Sequence, residues 1–89
     1  MTDQAWTDQQ AQDWAAAQRW LFVSYYKYGF TFRAEADGVT ATASAGGDSG
    51  AIFRYHVADP MSWAEVTDAG LMDLEIRRGD DLLYSRPPD

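Results

Sequence analysis

"RWLFVSYYKYGFTFR", residues 19–33, carries seven aromatic rings in fifteen positions, and its reading decides the fold. Two periods compete in it. Just upstream, "TDQQAQDWAAAQRWLF" opens with Thr7 and Gln10 at capping-box spacing and with Asp8 in the first turn. From that start Ala11, Trp14, Ala17, Leu21, Tyr25 and Tyr28 fall on one side of a helix, with Gln12, Ala16 and Arg19 opposite. Against this, Trp20, Phe22, Tyr26, Tyr28, Phe30 and Phe32 keep a period of two, broken only at Ser24, which is a strand pattern. The cap at Thr7 and the lack of a breaker before Gly29 favour a helix from about Asp8 to Tyr26. On that helix most rings form the core, while Trp20, Val23 and Tyr26 point away from the main stripe. A helix that is apolar all round is covered on both sides. Trp20 and Tyr26 are therefore the expected anchors for a partner or a second copy.

The following stretch, "FTFRAEADGVTATASA", residues 30–45, predicts a hairpin around Asp37-Gly38. With that turn Ala36 pairs with Val39, Ala34 with Ala41 and Phe32 with Ala43, all on one face. Arg33, Glu35, Thr40 and Thr42 share the other. Turn chemistry and alternation agree on one register. The alanines leave room for a helix to pack closely. "GGDSG", residues 46–50, reads as a loop, and "AIFRYHV", residues 51–57, as a third strand. Pro60 and the Ser62–Glu65 capping box predict a short second helix that stops near Gly70. "LMDLEIRRGDDLLYS" reads as a closing hairpin around Gly79-Asp80, with Met72, Leu74, Ile76 and Leu83 on one face. The expected fold is α+β in one domain, 1–89. It runs from an N-terminal helix through a three-stranded antiparallel meander and a short second helix to a C-terminal β-hairpin, with the helices on one face of the sheet.

Bulk composition narrows the function classes. The 89 residues hold 14 Asp and Glu against 7 Lys and Arg, a formal net charge of -7. Counterion release then works against direct nucleic-acid binding, whereas an acidic surface speeds encounter with a basic protein. The absence of cysteine removes disulfides, thiol nucleophiles and cysteine-held zinc. The polar, acidic start is unlike a signal peptide, and no apolar run approaches a membrane-spanning length, so the expected location is the cytoplasm of the cell that makes it, away from membranes.

No catalytic or cofactor motif emerges, and the chain reads as non-enzymatic. His56, the single histidine, falls beside Arg54 on the polar side of its strand, the wrong neighbour for a cation site. Ser24, Ser44, Ser49 and Ser62 sit in no nucleophile elbow. "GGDSG" lacks the phosphate-loop lysine, and "DAGLMDLE" lacks calcium-loop spacing. "RGD", residues 78–80, reads as turn chemistry. The acids at the two hairpins, Glu35, Asp37, Asp73, Glu75, Asp80 and Asp81, remain as candidate partner-binding groups.

In size, acidity, lack of cysteine and lack of catalytic signature the chain resembles the small phage-encoded inhibitors of bacterial defence, the anti-CRISPR proteins. That resemblance implies a stoichiometric inhibitor, with acids imitating nucleic acid in the basic groove of a defence complex. The element order is also similar to that of the small acidic chaperones of secreted effectors. This second resemblance implies a homodimer holding an extended segment, although that family's further C-terminal helix has no counterpart before "SRPPD".

Overall fold

The structure is a computed structural model that describes residues 5–26, 29–46, 60–68 and 70–86. It opens with helix α1, Asp8–Ala17. Thr7 caps it as its spacing predicts: the Thr7 hydroxyl accepts from the Gln10 amide at 3.1 Å, and the Gln10 side chain accepts from the Thr7 amide at 2.8 Å. Two orphan donors are thereby satisfied.

The helix ends nine residues earlier than Tyr26. Gln18 is already extended, and Leu21–Tyr26 form strand β1. Two contacts of Trp20 show why. Its backbone makes an isolated antiparallel bridge with Met61, with N–H to carbonyl distances of 2.8 and 2.7 Å. Its indole nitrogen donates to the Ala15 carbonyl at 3.0 Å, a second donor to an oxygen that the Gln18 backbone amide meets at 3.2 Å. Aromatic and β-branched residues also suit a half-buried pleated surface better than a helix interior. The interruption of the two-residue period at Ser24 has a structural cause. Phe22 pairs with Phe32, but Ser24 pairs with Thr31, so Val23 is an extra residue in a β-bulge that resets the alternation.

Strands β2, Gly29–Ala36, and β3, Val39–Ala45, form the expected hairpin in the expected register. Asp37 and Gly38 both have positive φ, 53° and 79°, as a two-residue turn requires. Helix α2, Trp63–Asp68, follows the Ser62–Glu65 cap, in which the Ser62 hydroxyl accepts from the Glu65 amide at 3.2 Å. Strands β4, Leu71–Arg78, and β5, Asp81–Arg86, close the chain around Gly79-Asp80. The sheet is antiparallel and five-stranded, in the order β1-β2-β3-β4-β5. The α+β architecture is thus as expected, with one strand drawn from the predicted helix. The third strand expected at 51–57, and His56 with it, lies outside the described residues.

One face of the sheet is the core. Phe30, Phe32 and Ala34 of β2, Val39, Ala41, Ala43 and Ala45 of β3, Leu74 and Ile76 of β4, and Leu83 and Tyr84 of β5 are all buried. A bulge at Leu83 turns two consecutive β5 side chains inward, since Ile76 pairs with Tyr84 and Arg77 with Leu82. Leu74, Ile76 and Leu83 share the core face as expected, whereas the Met72 side chain lies outside the described residues. Over this face lie Ala11 and Ala15 of α1 and Trp63 and Val66 of α2. The predicted α1 stripe holds at Ala11 and at Trp14, which is half-buried against the core, and is corrected beyond them: Ala15 is the second fully buried position, Ala17 is exposed, and Leu21 is on β1. The helices are tied to each other by Trp63 Nε1 donating to Gln12 Oε1 at 3.0 Å. Tyr84 donates its hydroxyl proton to Asp8 Oδ1 at 2.7 Å, holding β5 to the first turn of α1.

Two predictions follow from this packing. Gly70 has φ +91°, and a Cβ there would stand 2.9 Å from the Gly46 carbonyl oxygen. Gly70→Ala should lower stability by about 1–3 kcal/mol in chemical denaturation, while Gly38→Ala meets no neighbour and is strained only through its backbone. Burial, followed by the hydrogen bond to Asp8, raises the Tyr84 pKa above its ordinary 10.0. The folded chain therefore holds that proton more tightly than the unfolded chain. The stability gained is complete below pH 10.0 and is lost as pH rises through the raised folded value. Tyr84→Phe should cost about 1–2 kcal/mol near neutrality, with the gap to wild type narrowing at alkaline pH.

Candidate interaction face

The opposite face of the sheet has no helix over it among the described residues, and it carries the outward half of every strand, mostly polar apart from Leu21 and Leu82. The register orders its side chains into rows across the strands. One row runs Leu21, Arg33, Thr42, Glu75 and Ser85 from β1 to β5. The next runs Glu35, Thr40, Arg77 and Leu82 from β2 to β5. A third holds Ser24, Thr31, Ser44 and Asp73. The central strand thus offers only Thr40, Thr42 and Ser44, while the longer charged arms stand on its two neighbours.

Within each of those neighbours the charges pair along the strand. Arg33 meets Glu35 at 2.8 Å, and Arg77 meets Glu75 at 2.6 Å. Thr40 adds a hydroxyl donor to Glu35 at 3.3 Å. All four charged side chains are 43–59% exposed, so each pair contributes about 0–1 kcal/mol. Two shallow depressions flank the centre. An acidic one of about 400 Å³ is lined by Thr42, Ser44, Asp73, Leu74, Glu75, Ser85 and Arg86. A smaller one of about 290 Å³, on the β1–β2 side, is lined by Arg19, Leu21, Arg33, Ala34 and Glu35.

The candidate residues fall into three groups. Glu35, Asp73 and Glu75 stand on this face. Asp37, Asp80 and Asp81 lie together at one end of the sheet, because β3 pairs with β4 and sets the Asp37-Gly38 turn beside the Gly79-Asp80 turn. Arg78 lies between them, paired in register with Val39 and Asp81. Tyr26 closes β1 opposite Gly29, and its side chain is outside the described residues.

Trp20 is a correction. It is 0% exposed, packed on Trp63 in a tilted pair with ring centroids 5.0 Å apart, and belongs to the core. The exposure expected of it passes to its neighbours Leu21 and Val23, each 53% exposed. The period-two pattern of 20–32 held that signal, because it alternates Trp20 and Phe22 inward with Leu21 outward.

The candidate site read from the sequence lacks the arginines of the face, although alternation places Arg33 beside Glu35. Their positions change the electrostatics. Neither helix contains Lys or Arg, yet they carry Asp8, Asp13, Glu65 and Asp68. On the described sheet and its turns, Glu35, Asp37, Asp73, Glu75, Asp80 and Asp81 are offset by Arg33, Arg77, Arg78 and Arg86. The charged side chains of the two described helices are therefore all acidic, and the described sheet face opposite is a mosaic of both signs. Among the described residues no group of three or more His, Cys, Asp or Glu could hold a metal ion. No described helix is long and apolar enough to cross a membrane. Comparison with protein-family models, with curated proteins and with solved structures finds no match to this chain.

Core and face residues should respond differently to truncation. Trp20→Ala should cost about 3–5 kcal/mol and blunt the cooperativity of unfolding, whereas Leu21→Ser should leave thermal unfolding nearly unchanged.

Proposed function

We propose that this chain is a non-enzymatic binding protein, and that it acts as a stoichiometric inhibitor of the anti-CRISPR type, occupying the basic nucleic-acid groove of a bacterial defence complex. The observation that carries the reading is the adjacency of the two acidic turns. Asp37 comes from one hairpin and Asp80 and Asp81 from another, and they converge at one end of the sheet. Carboxylates held on short turns keep their spacing without further ordering, so less entropy is lost when they meet cationic side chains. The net charge of -7 favours a basic partner and accelerates encounter with it.

A second reading, a homodimeric chaperone or assembly protein for an effector segment, draws on Leu21 and Val23. Both are exposed side chains on β1, at one end of the strand order. Exposed apolar groups on such a strand suit an added extended segment.

The two readings separate in cells. Bacteria with a defined active defence complex and expressing this chain should lose interference against a targeted phage. Asp80→Lys combined with Asp81→Lys should restore it without changing the circular dichroism spectrum. If no defence system is inhibited by the wild-type chain, the inhibitor reading fails. If the double reversal inhibits as well as wild type, the turns are not the contact.

A further inference from the structure

We infer that the bare sheet face is self-complementary and that two copies of this chain stack through it, about a two-fold axis running along β3. The inference stands on the charge order of that face and is independent of which partner the acidic turns meet.

The four charged arms around the central strand alternate in sign. In one row Arg33 on β2 and Glu75 on β4 flank Thr42; in the next Glu35 on β2 and Arg77 on β4 flank Thr40. A two-fold parallel to β3 keeps every row in place and lays β2 of one copy over β4 of the other. Arg33 then faces Glu75 of the second copy, and Glu35 faces its Arg77. Each contact occurs twice.

The two depressions obey the same operation. The acidic one lies on the β3–β5 side and the one lined by Arg19 and Arg33 on the β1–β2 side, and both reach the Arg33–Thr42–Glu75 row, so the axis along β3 brings them together along that row. The hydroxyl residues on β3 are short enough for two sheets to approach to the roughly 10 Å of face-to-face packing, a gap that paired Arg and Glu side chains span. Leu21 and Leu82, 53% and 38% exposed, end these rows on opposite edges and would both be covered. In the free monomer Arg33 pairs with Glu35 and Arg77 with Glu75 along their own strands, in water, where such pairs are weak. Facing pairs at an interface chiefly add selectivity, because juxtaposed like charges there are strongly unfavourable.

The test uses the full chain and its charge reversals, by sedimentation equilibrium at low salt. Wild type should dimerise, more weakly as salt rises. Arg33→Glu alone and Glu75→Arg alone should each raise the dimer dissociation constant at least about tenfold, because like charges then meet twice. Mixing the two variants should restore a dimer, since each then supplies the charge the other lacks. The Arg33→Glu/Glu75→Arg double variant should dimerise by itself. Circular dichroism of each variant checks that it is folded. A wild type that stays monomeric up to millimolar concentration would overturn the inference. So would a dimer indifferent to either reversal, or rescue of Arg33→Glu by Glu35→Arg in place of Glu75→Arg, which would require a two-fold across the strands.

Discussion

The burial of Trp20 is the constraint on which the architecture turns. Its indole nitrogen closes the end of α1 on Ala15, its backbone bridges Met61 just ahead of α2, and its ring lies on Trp63 within α2. One residue therefore fixes where the first helix stops, where the first strand begins and where the second helix docks. A continuous helix to Tyr26 would forfeit these contacts and leave β2 without its outer neighbour. Isolated helices owe little to propensity and much to packing, so a tertiary contact of this size overrides a good N-terminal cap.

The small residues of β3 work together with that anchor. Ala41, Ala43 and Ala45 present almost no bulk, which lets the aromatic side chains of the helical layer and of β2 fill the space above the central strand. Because side chains alternate across a strand, the same sequence that empties the core side of bulk sets Thr40, Thr42 and Ser44 on the other. The core face takes its shape from rings packed over alanines. The bare face takes its shape from charged arms standing around hydroxyls.

Electrostatic character divides between the layers as well. The helices concentrate acid without cations, and the described sheet interleaves arginines with its carboxylates. A molecule with a formal charge of -7 thus carries one surface suited to long-range attraction and another with a local sign pattern. The proposed contact of the acidic turns with a basic partner and the proposed stacking of two copies would then use different surfaces of one small domain.

Short-range chemistry made much of this legible in the sequence. The Thr7 and Ser62 caps, the Asp37-Gly38 turn, the full register of β2 against β3, the short second helix and the closing hairpin are local events, each decided by neighbouring residues. Alternation likewise placed Arg33, Glu35, Thr40 and Thr42 on one outward face. What only the tertiary structure decided were choices between local states of similar energy. Residues 20–26 satisfy both a helical and an extended period, and the bulge at Val23 blurs the second, so the Trp20–Met61 bridge settles the matter from far along the chain. The exposure of Leu21 in place of Trp20 follows from that choice. The meeting of Asp37 with Asp80 and Asp81 depends on β3 pairing with β4, a long-range contact that no local pattern specifies, because either hairpin could form with the other absent.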